Sequence, residues 1–380
     1  MHEKEWNVVN HRGKQRIIVT KELPGAMWVK VLVNADCRVE ICTASEMLAV
    51  EEIKDAIGDA CDGAIGQLTE QWGETLLQTL QKAGGRIYAN YAVGYNNVDI
   101  PAATRCGIPV GNTPGVLTET TAQMAVALTF AAARRLGEAE RYLRSGRFTG
   151  WLPTLFTGRL LWRKTLGIIG AGRIGEAYAR MMVEGHKMDL IYYDIQQNTR
   201  LENTIKAYNE FLKGENIPPV SCRRAARVED VLKEADCVSI HTVLDESTFH
   251  LINAERLALM KADAILVNTS RGPVIDEADL VRHCREYPEF KAGLDVFEAE
   301  PRLQPGLTEL DNVVIVPHIA SATRWTREGM ATLAARNVAG ILNGFPVWRK
   351  ADILPFLSEN APKAAPSIVN ADRLGLPFFS

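Results

Sequence analysis

Three apolar segments in the second half of the chain each end on side chains that can act on a carbonyl group. Ile265-Leu-Val-Asn-Thr-Ser-Arg-Gly272 delivers Arg271 beside a glycine. Gly293-Leu-Asp-Val-Phe-Glu-Ala-Glu-Pro301 delivers Asp295, then Glu298 and Glu300, and Val313-Val-Ile-Val-Pro-His-Ile-Ala-Ser321 delivers His318 after a proline. Open α/β sheets bind ligands at the carboxyl ends of their strands, so an arginine, a carboxylate and a histidine placed there can converge on one crevice. The chemistry this suits is carbonyl reduction. The guanidinium holds and polarises an anionic 2-oxo acid, an imidazolium donates the proton, and the carboxylate keeps that imidazole charged and oriented.

A fourth segment, Thr165-Leu-Gly-Ile-Ile-Gly-Ala-Gly-Arg-Ile-Gly175, runs an apolar strand into Gly170-x-Gly172-x-x-Gly175. Alone that pattern is weak, since glycine-rich turns are common. Here a strand precedes it, a helical pattern follows, and Asp194 closes the next apolar segment, 19 residues past Gly175. Gly170 permits the tight turn, Gly172 lets backbone approach a pyrophosphate, and Gly175 lets helix pack on strand. The helix N-terminus then supplies N–H donors to the phosphates. A carboxylate at Asp194 accepts from both ribose hydroxyls and repels a 2′-phosphate, so NAD(H) is expected over NADP(H), although Arg200 lies six residues on.

Positioning these groups takes parallel strands with crossover helices, and strand-like and helix-like segments alternate along the chain. A first run has β-rich segments at 16–20, 38–43, 62–68, 86–93 and 108–112, with helical patterns at 45–57 and 74–82. A second run has six, at 166–170, 189–194, 237–242, 264–269, 291–296 and 313–317, the number a dinucleotide-binding sheet uses. Between them an Ala-rich helical pattern spans 118–146, suited to connecting or to subunit packing. The polar stretch 196–223, with Pro218-Pro219, reads as an insertion without a cofactor role. A helix over 322–343 is expected to return to the first run. The expectation is therefore an α/β chain of two domains: a discontinuous substrate domain, 1–117 with 322–350, and a nucleotide-binding domain, 118–321. Residues 351–380, with four of the 17 prolines, read as an irregular tail.

Composition narrows the partners. With 43 Lys+Arg against 46 Asp+Glu, a formal charge of −3, there is no basic footprint for nucleic acid and no polybasic membrane anchor. The longest apolar stretch, 124–133, falls short of the ~18 residues needed to span a bilayer. The start, Met-His-Glu-Lys-Glu-Trp, carries no apolar signal segment, and the seven cysteines include no CxxC pair. These features point to a reducing intracellular compartment, with no disulfide framework and no metal site. The histidines other than His318, His250 among them, show no ligand spacing.

The GAGRIG, NTSRGPVIDEADL, GLDVFEAEP and PHIASAT segments, in that order, resemble the D-isomer-specific 2-hydroxyacid dehydrogenases over roughly residues 15–345. GQLTEQWGETL, YAVGYNNVDIPAA, GNTPGVLTETTA and TREGMATLAA are similar to the branch of that family that reduces hydroxypyruvate in plant peroxisomes. The resemblance implies a Rossmann-type doubly wound parallel sheet with a flavodoxin-like substrate domain, a homodimer, and a small 2-oxo acid as substrate. It implies reduction of hydroxypyruvate to D-glycerate by NADH, with glyoxylate to glycolate as a side activity.

Carried over by motif, Arg271 matches the arginine that holds the substrate carboxylate, His318 the proton donor, and Glu300 the acid paired with it. Glu300 is preferred to Glu298 because it directly precedes Pro301. Arg173 and Ile174 lie in the phosphate loop with Gly170, Gly172 and Gly175. Thr121, Thr242, Thr269 and Ser270 match positions lining the cofactor, and Asp295 the residue contacting the nicotinamide carboxamide. Val93 and Gly94 match the loop whose backbone N–H groups help hold the substrate carboxylate. Trp151 matches an aromatic that in related reductases reaches the neighbouring subunit's substrate site. Rival readings are another D-2-hydroxyacid dehydrogenase or glyoxylate reductase, and a non-enzymatic NAD-sensing regulator of the same fold, against which the intact Arg271, Glu300 and His318 weigh. The terminal Phe378-Phe379-Ser380 lacks the basic middle residue and terminal leucine of a Ser-Lys-Leu-type peroxisomal address, so a cytoplasmic location is expected, with the peroxisome as the alternative.

Overall fold

Residues 6–379 are described in a computed structural model, and they divide into two units, Met1–Leu117 with Ala322–Ser380 and Thr118–Ser321. Most of the chain start and the terminal Ser380, on which the compartment expectation turns, lie outside the described residues.

In the first unit β1 (Trp6–Val9), β2 (Gln15–Val19), β3 (Cys37–Cys42), β4 (Gly63–Gly66), β5 (Tyr88–Asn90) and β6 (Val110–Gly111) form one sheet in the order β1-β3-β2-β4-β5-β6. All neighbours are parallel except β1 with β3. With the antiparallel edge strand β1 set aside, the order is the 2-1-3-4-5 of flavodoxin-like sheets, as expected. The helices are α1 (Met27–Asn34), α2 (Val50–Ile57), α3 (Glu74–Lys82) and α4 (Ile100–Arg105). Valine-rich α1 would make a strand by propensity alone. Its buried residues Trp28, Val31 and Leu32 fall at i, i+3 and i+4, and that stripe decides for helix.

The second unit contains α5 (Thr118–Ala133), α6 (Leu136–Arg144), β7 (Thr165–Ile169), α7 (Arg173–His186), β8 (Asp189–Tyr193), α8 (Thr199–Gly214), β9 (Cys222–Arg224), α9 (Val228–Glu234), β10 (Cys237–Ile240), α10 (Ala254–Leu257), β11 (Ile265–Asn268), α11 (Glu277–Glu286), β12 (Lys291–Leu294) and β13 (Val313–Ile315). Its strands pair in parallel in the order β13-β12-β11-β10-β7-β8-β9. From the β9 edge this is 3-2-1-4-5-6 plus one further strand, the Rossmann arrangement. Helices cover both faces, so the strands are apolar on both sides: Leu190 and Tyr192 enter one core layer, and Ile191 the other.

Three expectations change. The 196–223 stretch is no insertion: it is the second crossover and third strand of the sheet. Asn198 caps α8 by accepting from Leu201 N at 2.8 Å, and Leu201, Ile205 and Leu212 are buried. β9 reads only Cys-Arg-Arg and offers no apolar run to recognise. The 118–146 helix is two helices. Arg135 turns to φ 54° between α5 and α6 and forks onto Glu138, while the returning chain caps α5 through Arg159 N on Ala133 O at 2.8 Å. Finally, 351–380 is not a separate tail. Asn370 accepts from Val110 N at 2.9 Å, Ile368 bridges Gly111, and Phe356 is fully buried, so this stretch closes the β6 edge of the first unit. The long helix α12 (Arg324–Leu342) precedes it and packs on α1 and against β4 and β5.

Candidate active site

The glycine loop is built as its three positions require. Gly170 sits at φ +93°, a conformation L side chains rarely adopt, and a Cβ there would lie 2.7 Å from the His241 carbonyl. A Cβ on Gly175 would lie 2.1 Å from Gly170 O, so the first turn of α7 can close on the loop only with glycine there. At Gly172, the N-cap of α7, an added Cβ would meet nothing within 4 Å, leaving an open cradle before the helix N-terminus. Arg173 is exposed and Ile174 half-buried in that first turn.

Half-buried Asp194 follows β8. Its Oδ2 accepts from Ala171 N at 2.8 Å and its Oδ1 from Gln196 N at 2.9 Å, which ties the acid to the glycine loop. No basic side chain among the described residues pairs with this carboxylate: Arg200 is on Glu176 at 2.7 Å, and Arg224 donates to the backbone oxygens of Asp194 and Ile195. The buried hydroxyls of Thr242 and Thr269 have no partner among the described residues. Such atoms are costly unless something binds them. Thr121 is buried on α5, and the Ser270 hydroxyl donates to Asn268 Oδ1 at 2.7 Å, holding its own turn. An open cradle, orphan hydroxyls and an acid at the second strand end fit a dinucleotide.

Arg271, Glu300 and His318 all follow adjacent strands of this sheet, β11, β12 and β13. His318 Nδ1 and Glu300 Oε2 are 2.9 Å apart, and Glu300 Oε1 accepts from Phe297 N at 2.8 Å. His318 Nε2 has no partner among the described residues, so one nitrogen is oriented and the other left for a ligand. Burial works to raise the Glu300 carboxyl, but His318, the Phe297 N–H and the Arg271 charge together hold it below the usual range. Burial lowers Arg271, and the Glu300 charge opposes that. The Arg271 Nη1 donates to Ser270 O at 2.7 Å. Gly272 presses on the Phe297–Glu298 peptide, where a Cβ would lie 1.9 Å from Phe297 C.

His318 itself sits at φ 51°, a strained conformation for a non-glycine residue of the kind that clusters at functional sites. Asp295 holds it there. Its backbone O accepts from His318 N at 2.8 Å, and its two carboxylate oxygens accept from Ile319 N at 2.6 Å and Ala320 N at 2.8 Å. The Asp295 side chain is wholly buried under the 318–320 loop. Burial raises its carboxyl, while those N–H groups and His318 oppose the shift.

A second pair escaped sequence reasoning. His250 Nε2 lies 2.7 Å from Glu298 Oε1, and His250 N donates to Pro273 O. The partners are far apart in sequence and only the fold joins them. Trp151, 81% exposed, lies in a stretch that also exposes Leu136, Leu143, Phe148, Leu152, Leu160 and Trp162. Val93 and Gly94 belong to the first unit, three and four residues past β5. Among the described residues no group of three or more His, Cys, Asp or Glu could hold a metal ion, and no helix is long and apolar enough to cross a membrane.

Residues 126–320 match the family described as D-isomer specific 2-hydroxyacid dehydrogenase, NAD binding domain. A glycerate dehydrogenase from Arabidopsis thaliana, described as peroxisomal, is 60% identical over 374 residues, 97% of each chain. A glyoxylate reductase from Korarchaeum cryptofilum is 41% identical over 336 residues, 87% of this chain and 94% of that one. A crystal structure of a Thermus thermophilus protein superposes with a TM-score of 0.77 at 35% identity, covering 93% of this chain and all of that one. With the Rossmann sheet and its dinucleotide cradle already in place, these likenesses make the chain a member of the D-isomer specific 2-hydroxyacid dehydrogenases, an NAD-dependent oxidoreductase family.

Proposed function

We propose that this protein reduces hydroxypyruvate to D-glycerate with NADH, and glyoxylate to glycolate as a secondary activity. The carrying observation is the His318–Glu300 pair: Nδ1 bound at 2.9 Å and Nε2 left without a protein partner. The names of the glycerate dehydrogenase and glyoxylate reductase relatives support the choice of substrates.

Gly170, Gly172, Arg173, Ile174, Gly175 and Asp194, with Thr121, Thr242, Thr269 and Ser270, would hold the cofactor. NADH bound there supplies the hydride that adds to the substrate's carbonyl carbon. Arg271 holds the substrate carboxylate and draws electron density onto the 2-oxo group. The His318 imidazolium gives its Nε2 proton to the carbonyl oxygen, and Glu300 stabilises the charge and fixes the ring through Nδ1. Asp295, the expected contact of the nicotinamide carboxamide, also supports the His318 loop by accepting from Ile319 N and Ala320 N. Val93 and Gly94 are assigned to the substrate carboxylate through their backbone N–H groups. Asp194, with no cation on its carboxylate, favours NADH over NADPH. The apolar residues exposed around Trp151 support a homodimer formed through that stretch.

The test is NADH oxidation with hydroxypyruvate, glyoxylate and phosphohydroxypyruvate, repeated with NADPH. Hydroxypyruvate should give the highest kcat/KM, and NADH should outperform NADPH. No turnover with any of the three acids would turn the reading toward an NAD-sensing regulator, and a preference for NADPH would remove Asp194 from cofactor selection.

A further inference from the structure

A second acid stands at the glycine loop, outside the assignments above. Glu176, in the first turn of α7, is 5% exposed, and its two oxygens go to two partners from the start of α8. Oε1 holds Arg200 Nη2 at 2.7 Å, and Oε2 accepts from Asn198 Nδ2 at 3.1 Å. The same Asn198 amide donates to Ala171 O at 2.8 Å, while Ala171 N donates to Asp194 Oδ2. Asp194 and the Glu176–Arg200 pair are thus joined through Ala171 and Asn198 alone.

In a dinucleotide-binding sheet an arginine close to this strand end accommodates a 2′-phosphate. Arg200, six residues past Asp194, is such a residue by position, but its charge is already taken. An ordinary surface ion pair is weak because both charges can turn to water. Here the arginine is exposed but the Glu176 side chain is not, and a carboxylate this buried depends on its partners: without the guanidinium it would keep one amide. A further guanidinium near the strand end, that of Arg224, is spent on the Asp194 and Ile195 carbonyls at 2.8 and 3.0 Å.

We infer that Glu176 is a specificity-determining residue for the cofactor, holding Arg200 away from the place that a 2′-phosphate would take. The inference rests on the proposed ribose site at Asp194 and deepens it. Discrimination against NADPH then has two parts, repulsion by Asp194 and denial of the cation that could offset it.

Asn198 keeps the arrangement in place. Its Oδ1 accepts from Leu201 N at 2.8 Å, and its N donates to Tyr192 Oη at 3.1 Å. The amide cannot flip without losing the cap of α8, so its nitrogen stays on Glu176 and Ala171.

The test is fluorescence titration of the full-length protein with NADPH and with NADH, in the absence of any 2-oxo acid. In Glu176→Gln the amide has no charge and one oxygen for two donors, so Arg200 is released. Affinity for NADPH should rise roughly fivefold, while that for NADH stays within about twofold of wild type. Adding Arg200→Gln to that variant should return NADPH affinity to the wild-type value. Arg200→Gln alone, at an exposed position, should leave NADPH binding unchanged, since the guanidinium takes no part in it. An unaltered NADPH affinity in Glu176→Gln, or a gain that survives Arg200→Gln, would overturn the inference, as would weaker NADPH binding in Arg200→Gln alone. If Glu176→Gln does not accumulate as folded protein, Glu176→Asp, whose shorter side chain draws back from Arg200, is read by the same criteria. A wild type that binds NADPH as tightly as NADH would instead overturn the reading of Asp194, and this inference with it; a wild type that prefers NADH beside an unaltered Glu176→Gln removes only the inference.

Discussion

Replacing Glu300 with glutamine would isolate the charge of the Glu300–His318 pair from its shape. The amide oxygen of Glu300→Gln can still accept from His318 Nδ1, so the ring keeps its orientation while the negative charge disappears. Nδ1 and Oε2 stand 2.9 Å apart, and the two side chains are only 26% and 28% exposed. Unit charges ~4 Å apart attract by ~4 kcal/mol at an effective dielectric of 20, and partial exposure to solvent and salt brings that to roughly half. A loss of ~2 kcal/mol in favour of the charged pair corresponds to roughly 30-fold in kcat/KM wherever the charged ring is needed. In the proposed mechanism reduction needs the proton on His318, so activity is expected to fall as pH rises. The attraction between His318 and Glu300 helps hold the Glu300 carboxyl below its usual range, so removing that carboxylate is expected to move the falling limb toward acid. Oxidation of D-glycerate needs the neutral imidazole, so its rising limb moves the same way. The assay is kcat/KM for hydroxypyruvate at saturating NADH across the neutral range, with the reverse reaction as control. A uniform loss with both limbs unmoved would refute the electrostatic account and leave Glu300 only a steric part. An unchanged profile would remove Glu300 from the mechanism.

Three further outcomes are expected. Arg271→Ala should lower kcat/KM for hydroxypyruvate by roughly 10²–10³-fold or more while NADH binding, read by fluorescence titration, stays near wild type; near-normal turnover would exclude Arg271 from the mechanism. The two glycine substitutions should separate: Gly172→Ala, which meets nothing, leaves the thermal midpoint unchanged but weakens NADH binding, whereas Gly175→Ala, driven to 2.1 Å from Gly170 O, lowers the midpoint as well. Equal effects of both on stability would contradict the geometry of the loop. Burial lowers His241 to about 3, so the unfolded chain binds a proton that the fold excludes, and stability is lost as pH falls from about 6.5 toward 3. The slope is ~1.4 kcal/mol per pH unit, and His241→Asn should remove it from urea-unfolding curves measured on the acid side of neutrality; parallel pH dependences for the two proteins would show that His241 is not responsible.

Most strands of both sheets are legible in the sequence because buried parallel strands are written as continuous apolar runs. What escapes is what lacks that signature. β1 is a four-residue antiparallel edge strand that is nowhere fully buried, and β9 is a three-residue Cys-Arg-Arg strand paired on one side only. The break at Arg135 was hidden inside an Ala-rich helical pattern, because its cause is a crossing of the backbone at Gly158 and Arg159, distant in sequence. The same limit applies at the site. Arg271, Glu300 and His318 stand in motifs of neighbouring strands and can be read directly. His250 and the support role of Asp295 act through contacts between segments and carry no local pattern.

The 295–301 turn shows how such contacts give a carboxylate its task. Spacing alone cannot choose between Glu298 and Glu300, since both follow the same strand end and both could reach a histidine. In the fold each has its own: Glu300 holds His318, and Glu298 holds His250. Glu298 N also donates to Glu277 Oε1 at 2.8 Å, Phe297 N donates to Glu300, and Gly272 lies against the Phe297–Glu298 peptide. Asp295 anchors the start of the turn beneath the His318 loop. The acid beside His318 is thus placed by backbone bonds and by a neighbouring hydrogen-bonded pair as well as by its own bond to the imidazole. A neutral, isosteric residue at 300 should therefore remain where the glutamate stood, so any shift in the pH profile of Glu300→Gln measures the charge alone.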